Sequence, residues 1–359
     1  MKVLCCSRLP SQLQKPHALL PVLVAVATVA GFPRSLSPLR LEFVEKAAKF
    51  NREHSSVRVL RTLQTNRLLA QIHVQIQQIL DQGTANPIVA RLSIQTQDLL
   101  PFYDLSEEQR QKIVGLMFSD IQPKLLACSR ISEQFASEVR GHQKRIDEIG
   151  VEVQAASRAY KIPAIFDVRS RAEIFLYQAK SVLRDLTKLF LILFGKDFNN
   201  TARFDLVAEW AEAEFGEQDE LTKMLKTDEG LWIRSLVKMR NAVEHPAGRS
   251  GTLHVQNFTA EVVGSSIVVL EPVWYLDNNE KSPVVRDMGV FTDNLLTLCE
   301  QTLILCLEKF KKGFPIVVVE VAEGDRDPSC PVRYRMTLDP SRITFPPTAA
   351  KPSNAEQNT

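Results

Sequence analysis

Hydrophobic positions recur at three- and four-residue steps along most of this chain, the spacing that gathers side chains on one face of an α-helix. The segment 57–82 carries Leu60, Leu63, Leu69, Ile72, Ile76, Ile79 and Leu80 in this way, which predicts one long amphipathic helix closed by Gly83. Ser106 followed by Gln109 is a helix-start signature, and Ile113, Leu116, Met117 and Ile121 continue it at helical spacing. Pro123 is expected to open or kink the next helix. Over 132–159 the apolar residues thin to Phe135, Val139, Ile146, Ile149 and Val153, a stripe suited to a solvated helix or an arm between two lobes. Ile162-Pro163-Ala164 marks the expected boundary, because a proline biases its predecessor away from helix.

Past that boundary the helices become more apolar. One containing Ile174, Tyr177, Val182, Leu186, Leu189, Phe190, Ile192, Leu193 and Phe194 is expected to end at Gly195. Phe204, Val207, Ala208, Trp210 and Ala211 define a second helix, and 231–244 a third. After Gly248 the period changes: 252–258 and 267–276 read as strands joined through Gly264-Ser265-Ser266, a β hairpin set between helices. Phe291, Leu295, Leu298, Leu303, Leu305 and Leu307 mark a last helix that stops at Gly313, and 314–321 and 332–338 read as two more strands. The expected fold class is mainly α, a helical N-terminal lobe followed by a C-terminal helical bundle with an inserted β hairpin and short C-terminal strands. Residues 1–38 are read as outside the fold, 39–162 as a helical domain or arm, 163–339 as the second domain and 340–359 as a disordered tail.

Composition narrows the function classes. At 359 residues the chain can bury a sizeable core in two domains, and 45% hydrophobic with 24% charged residues is the balance of an ordinary soluble protein. A net charge of +2 gives no polybasic surface, so any phosphate binding must be local. Cys5, Cys6, Cys128, Cys299, Cys306 and Cys330 form no CxxC pair and no zinc spacing, which favours reduced thiols and a cytoplasmic location. The apolar run 18–32 follows Lys2, Arg8 and Lys15 and offers Ala25-Val26-Ala27 as a cleavage site. Export or tethering through it is the lesser reading, and a mis-assigned start would also produce such a run. It is too short to cross a bilayer comfortably and contains Pro21, so no stable membrane span is expected. The sequence holds no H-E-x-x-H, P-loop, GxGxxG or GxSxG motif. His54, His73, His142 and His254 are scattered, and neither a metal nor a cofactor is expected. Trp210, Trp232 and Trp274 read as core anchors, and Asp205, Glu209, Glu212 and Glu214 as a solvated acidic face from which Glu209 can approach the 231–244 helix.

Chemistry concentrates in Arg240-Asn241-Ala242-Val243-Glu244-His245-Pro246. An arginine supplies a fixed cation for phosphate and a histidine titrates near neutral pH, a minimal set for breaking RNA without a metal. Asn241 and His245 lie one turn apart on a helix, while Arg240 is about 140° round from His245. Pro246 disfavours helical dihedrals at His245, so the imidazole can leave the helix line and swing toward the groove Arg240 reaches. Asn241 can then hold one imidazole nitrogen and fix its tautomer. A bland reading stands beside this one: Arg240 pairs with Glu244 one turn on, and His245 helps close the helix C-terminus, where a cation is favourable.

An R-x(4–6)-H motif with a polar residue directly after the arginine, near the end of a bundle helix, resembles the HEPN family over about residues 170–313. Arg240 matches the family's arginine, Asn241 its following polar position and His245 its histidine. The resemblance implies that 163–339 is a HEPN-like helical bundle, and the expected hairpin departs from the compact form of that domain. Many members are metal-independent endoribonucleases of defence and toxin–antitoxin systems, while others are inert partners or nucleotide-binding modules. The implied catalytic set is Arg240, Asn241 and His245, acting on RNA through its own 2′-OH. The resemblance also implies a homodimer whose two motif helices supply a pair of histidines. The alternative is a non-catalytic helical interaction protein that recruits a protein partner through its N-terminal helical region and dimerises through the other lobe.

Overall fold

The structure, a computed structural model, describes residues 82–339 except 155–158, 200, 265, 278 and 312–314, with the backbone of four short strands nearer the N-terminus. Strand β1 (Lys2–Leu4) pairs antiparallel with β2 (Ala25–Ala27), and β3 (Arg58–Arg61) with β4 (Val74–Gln77). β3 and β4 occupy the segment where apolar spacing predicts a single helix. Val74 and Ile76 alternate there with Gln75 and Gln77, a period-two run that competes with the helical period. The rest of 57–81, most of the run 18–32, Cys5, Cys6, His54, His73 and the tail 340–359 lie outside the described residues.

From Pro87 onward helices dominate. Helix α1 (87–99) begins on that proline, whose missing N–H costs nothing in a first turn, with the Asn86 side chain accepting from the Ile88 N–H at 2.9 Å. Helix α2 (107–149) opens with the expected reciprocal cap: Gln109 N–H donates to Ser106 Oγ at 3.1 Å and Ser106 N–H to Gln109 Oε1 at 3.0 Å. A wide π turn at Leu116–Ile121 lies just ahead of Pro123, so the proline distorts a continuous helix rather than starting a new one. The thinning stripe of α2 has a structural counterpart, since its last buried residue is Val139 and Ile149 is exposed. Strands β5 (Glu152–Gln154) and β6 (Ala159–Lys161) form a small hairpin before Ile162-Pro163-Ala164.

Where one helix is expected up to Gly195, there are two, α3 (Val168–Leu186) and α4 (Lys188–Phe194), meeting at Thr187. Gly195 closes α4 with φ of 70°, a left-handed conformation that favours glycine. Ile174 and Tyr177, counted in the apolar stripe, are half exposed; they sit on the outer side of α3 while Phe175, Leu176, Ala179 and Val182 face inward. Helix α5 (Phe204–Phe215) carries Trp210, which packs edge-on against Phe190, Phe198 and Phe215. Helix α6 (220–244) starts earlier than its apolar spacing suggests, on the Asp219 cap, and passes a π turn at Glu229–Ile233 before running to Glu244.

The expected hairpin is real but segmented. β7 (Leu253–Gln256) pairs with β10 (Val273–Leu276), and between them β8 (Thr259–Val263) pairs with β9 (Ser266–Leu270). A short β11 (Ser282–Pro283) adds to β10 and leads into helix α7 (Val284–Leu307). At the base of this unit Gly251 has φ of 78°, and a Cβ there would lie 1.9 Å from Asp277 Oδ2, so no side chain fits. The last two expected strands, β12 (Ile316–Glu320) and β13 (Tyr334–Leu338), pair antiparallel.

Helix α7 is the axis of the core: from Asn294 to Leu307 no residue is exposed. It is the one described helix long and apolar enough to cross a membrane, and 67% of that stretch is buried inside the protein. Cys299 and Cys306 lie within it as buried free thiols, and Cys128 faces the core from α2. Burial pushes all three thiols well above their ordinary pKa.

Glu300 is the one charged residue buried on α7. Arg91 of α1 donates to it through Nε at 3.0 Å and through a second, shorter bond, and Gln95 donates at 2.8 Å. Gln95 Oε1 in turn accepts the backbone N–H groups of Arg333 and Tyr334, which fastens β13 to α1. Removing Glu300 would leave the largely shielded Arg91 guanidinium without its carboxylate. Glu300→Ala is therefore expected to lower stability by ~3–5 kcal/mol, and Glu300→Gln, which keeps an acceptor, by less. Urea unfolding of the two variants checks this; equal, small losses would show that the cluster contributes little.

Candidate functional site

Helix α6 delivers the motif to its C-terminal end, and α3 crosses beneath it. The facing walls enclose a cleft of about 760 Å³, completed by the segment Thr201–Asp205. Its lining includes Lys180, Arg184, Arg203, Arg234, Lys238 and Arg240 against Asp205, Glu229 and Glu244, six cations to three acids. Local concentration of positive charge thus exists in a chain that is nearly neutral overall.

Arg240 and Asn241 both line this cleft. The Arg240 side chain is only 11% exposed, its guanidinium lies 5.3 Å over the Tyr177 ring, and it pairs with Glu244 at 3.1 Å. The bland expectation of an Arg240–Glu244 pair is therefore part of the geometry. One donor is unsatisfied: Arg240 Nε is buried without a hydrogen-bond acceptor.

Sequence reasoning did not single out Lys180, yet it organises the site. From α3 it donates 2.8 Å hydrogen bonds to both Asn241 Oδ1 and Glu244 Oε2. Asn241 thus gives its carboxamide oxygen to Lys180, where holding the imidazole had been expected of it. The only hint in the sequence was the lysine at the edge of an apolar helix face, which is unremarkable for a snorkelling side chain. Lys180 holds the Glu244 carboxyl below the usual carboxylate range by its hydrogen bond; burial opposes this, and the charges of Lys180, Arg240 and His245 reinforce it.

His245 caps the helix with φ −133° and ψ 72°, outside helical space as Pro246 requires. Its backbone N–H still donates to Asn241 O at 2.8 Å, and its carbonyl accepts from Gly248 N–H at 3.0 Å. That tight turn holds Ala247 at φ 59°, and a Cβ on Gly248 would lie 2.9 Å from the His245 oxygen. The imidazole is exposed, makes no hydrogen bond among the described residues, and lies beyond the residues that line the cleft. Glu209 is exposed and acts electrostatically on Arg203, on the opposite wall.

No protein-family model, curated protein or solved structure matches this chain. The chemistry open to the site has to be read from its side chains alone. Among the described residues, no three histidine, cysteine or carboxylate side chains converge as a metal site would need. The cleft instead suits an anionic ligand, with guanidinium and ammonium donors and an aromatic ring at Tyr177, while His245 follows the last lining residue, Glu244, in sequence.

Because the folded-state Glu244 carboxyl is held low, the favourable energy of its pairs is present above the ordinary carboxylate range and fades as pH falls through the lowered value. In Lys180→Met the Glu244 pKa is expected to rise toward its ordinary value. With both partners partly exposed, the stability loss at neutral pH should stay under about 1 kcal/mol. Carboxyl NMR titration with thermal unfolding reads both; an unmoved Glu244 pKa would remove Lys180 from the network.

Proposed function

We propose that this chain is a HEPN-like RNA-directed protein whose cleft takes RNA phosphates and whose His245 moves a proton during metal-independent cleavage. The observation that carries the reading is the cleft itself: Arg240 and Asn241 line it beside an excess of cations, with an exposed imidazole immediately beyond. Arg240 would stabilise charge developing on a phosphoryl oxygen. His245 would take the proton of a ribose 2′-OH or give one to the departing 5′-oxygen. The 2′-oxygen then bonds to phosphorus as the P–O5′ bond breaks, which leaves a cyclic phosphate and spares DNA. Acid and base steps need two proton-transfer groups and each chain brings one motif histidine, so the reading includes a homodimer. Its setting would be a cytoplasmic defence or toxin–antitoxin system.

A second reading is favoured by a different observation: Glu244 already occupies Arg240, and His245 stands outside the cleft lining. In that reading the site closes a helix, and the protein works by holding a protein partner.

Incubation of the purified full chain with fluorescent single-stranded RNA separates the two. The nuclease reading expects cyclic-phosphate products and no cutting of the matching DNA. It also expects a ~10²–10⁴-fold slower reaction in His245→Ala, with RNA affinity little changed. Arg240→Ala should lose both rate and affinity. Cleavage that survives His245→Ala, or none by the wild type, sinks catalysis. RNA binding weakened by Arg240→Ala without any cleavage would leave a binding module.

A further inference from the structure

β8 and β9 form a two-stranded ribbon that rests on the core through Val269, and neither strand has another neighbour among the described strands. Val262, Val263, Val268 and Leu270 are exposed on it. Such a ribbon is marginal alone in water, and its edges carry unpaired backbone groups. Proteins usually protect an edge with lysine, proline or a bulge; β9 reads Ser-Ile-Val-Val-Leu and carries none of these.

We propose that β9 is the seam of a homodimer, in which two copies pair antiparallel about a two-fold axis at Val268. The ladder fixes which groups are available. From the closing pair Val263↔Ser266, the register continues Val262↔Ile267, Glu261↔Val268, Ala260↔Val269 and Thr259↔Leu270. Hydrogen-bonded and non-bonded pairs alternate in an antiparallel ladder, so Ser266, Val268 and Leu270 bond to β8. Ile267 and Val269 turn their N–H and C=O groups outward. Antiparallel pairing about Val268 sets Ile267 of each copy opposite Val269 of the other, so the outward groups of one edge meet those of the other.

Charge selects β9 over β8. The central residue of β8 is Glu261, which the same symmetry would place against itself, like charge on like. Pairing β9 with itself meets only apolar residues at the centre and Ser266 against Leu270 at the ends. The product is a four-stranded sheet with Val268 beside its own copy, past the three strands a sheet with an apolar face needs for stability. The seam rests on the β9 edge and not on the cleft. A monomer at all concentrations would count against both this seam and the RNA reading, whereas a dimer indifferent to Val268→Lys would count against the seam alone.

Sedimentation equilibrium of the full chain across a concentration series tests it. The wild type is expected to dimerise, and Val268→Lys to raise the dimer dissociation constant at least tenfold, about 1.4 kcal/mol. Glu261→Lys should leave the dimer intact. Circular dichroism of Val268→Lys should match wild type, since the side chain is exposed. Oxidised Val268→Cys should form a cross-linked dimer, because the paired Cα atoms would lie about 4.5 Å apart in a non-hydrogen-bonded pair. Glu261→Cys and the wild type should not cross-link. A monomer at all concentrations, a dimer indifferent to Val268→Lys, or a Val268→Cys dimer that resists cross-linking overturns the proposal.

Discussion

A helix without an exposed side has to be wrapped, and α7 imposes that condition on everything around it. From Asn294 onward each of its residues is shielded, so helices α1, α2, α3 and α6 all give it a share of their apolar faces. The apolar order of α7 explains why residues far apart in sequence, from Ile88 to Leu307, join one hydrophobic cluster. The same burial explains the Arg91–Glu300–Gln95 arrangement. A carboxylate in that position is tolerable only with cationic and amide donors around it, and those donors come from the helix that also anchors the C-terminal strands.

Much of the architecture was legible because it rests on local rules. The Ser106–Gln109 cap, the distortion near Pro123, the close of α4 at Gly195 and the change of period after Gly248 each follow from a few adjacent residues. Failures came where periodicity allowed two answers. The glutamine-interrupted run ending in β4 fits both a helical and an alternating template, and Ile174 and Tyr177 fit a helical stripe without being buried. Breaks such as Thr187 carry no proline or glycine. They depend on how α3 and α4 pack, and Asp185 shows why: it is buried at that junction and bonded to Lys124 of α2 at 2.6 Å and to Lys188 of α4 at 3.0 Å. Burial alone would raise its pKa, yet the two lysines hold it below the ordinary value. Contacts between such distant positions have no sequence signature.

The candidate site divides in the same way. Helix end, proline and histidine conformation could be read from the heptad, since one residue constrains the next. The cleft could not be, because half of its cations come from α3 and from Arg203, far from the motif in sequence. Lys180 is the clearest case. It connects Asn241 and Glu244 across two helices, and nothing in its immediate neighbours distinguishes it from any other lysine on an amphipathic helix.

Charge pairing inside the cleft bears on what kind of anion it can hold. Arg203 is bonded to Asp205, Arg234 to Glu229, and Lys180 and Arg240 share Glu244. Lys238 has no such partner among the described residues, and Arg184 reaches only Asp185, which two lysines already engage. A small monoanion would gain little by displacing carboxylates that are held in place by their own partners. A chain of phosphates, as the proposed RNA reading requires, would exploit the excess differently, touching Lys238 and Arg184 directly while drawing Arg240 away from Glu244 only at one position. On the proposed RNA reading, such a division would give weak affinity for single phosphates and stronger, salt-dependent affinity for a strand, since each added contact would release further counterions. On the same reading Glu244 would compete with the ligand for Arg240, which the Arg240–Glu244 pair keeps in position.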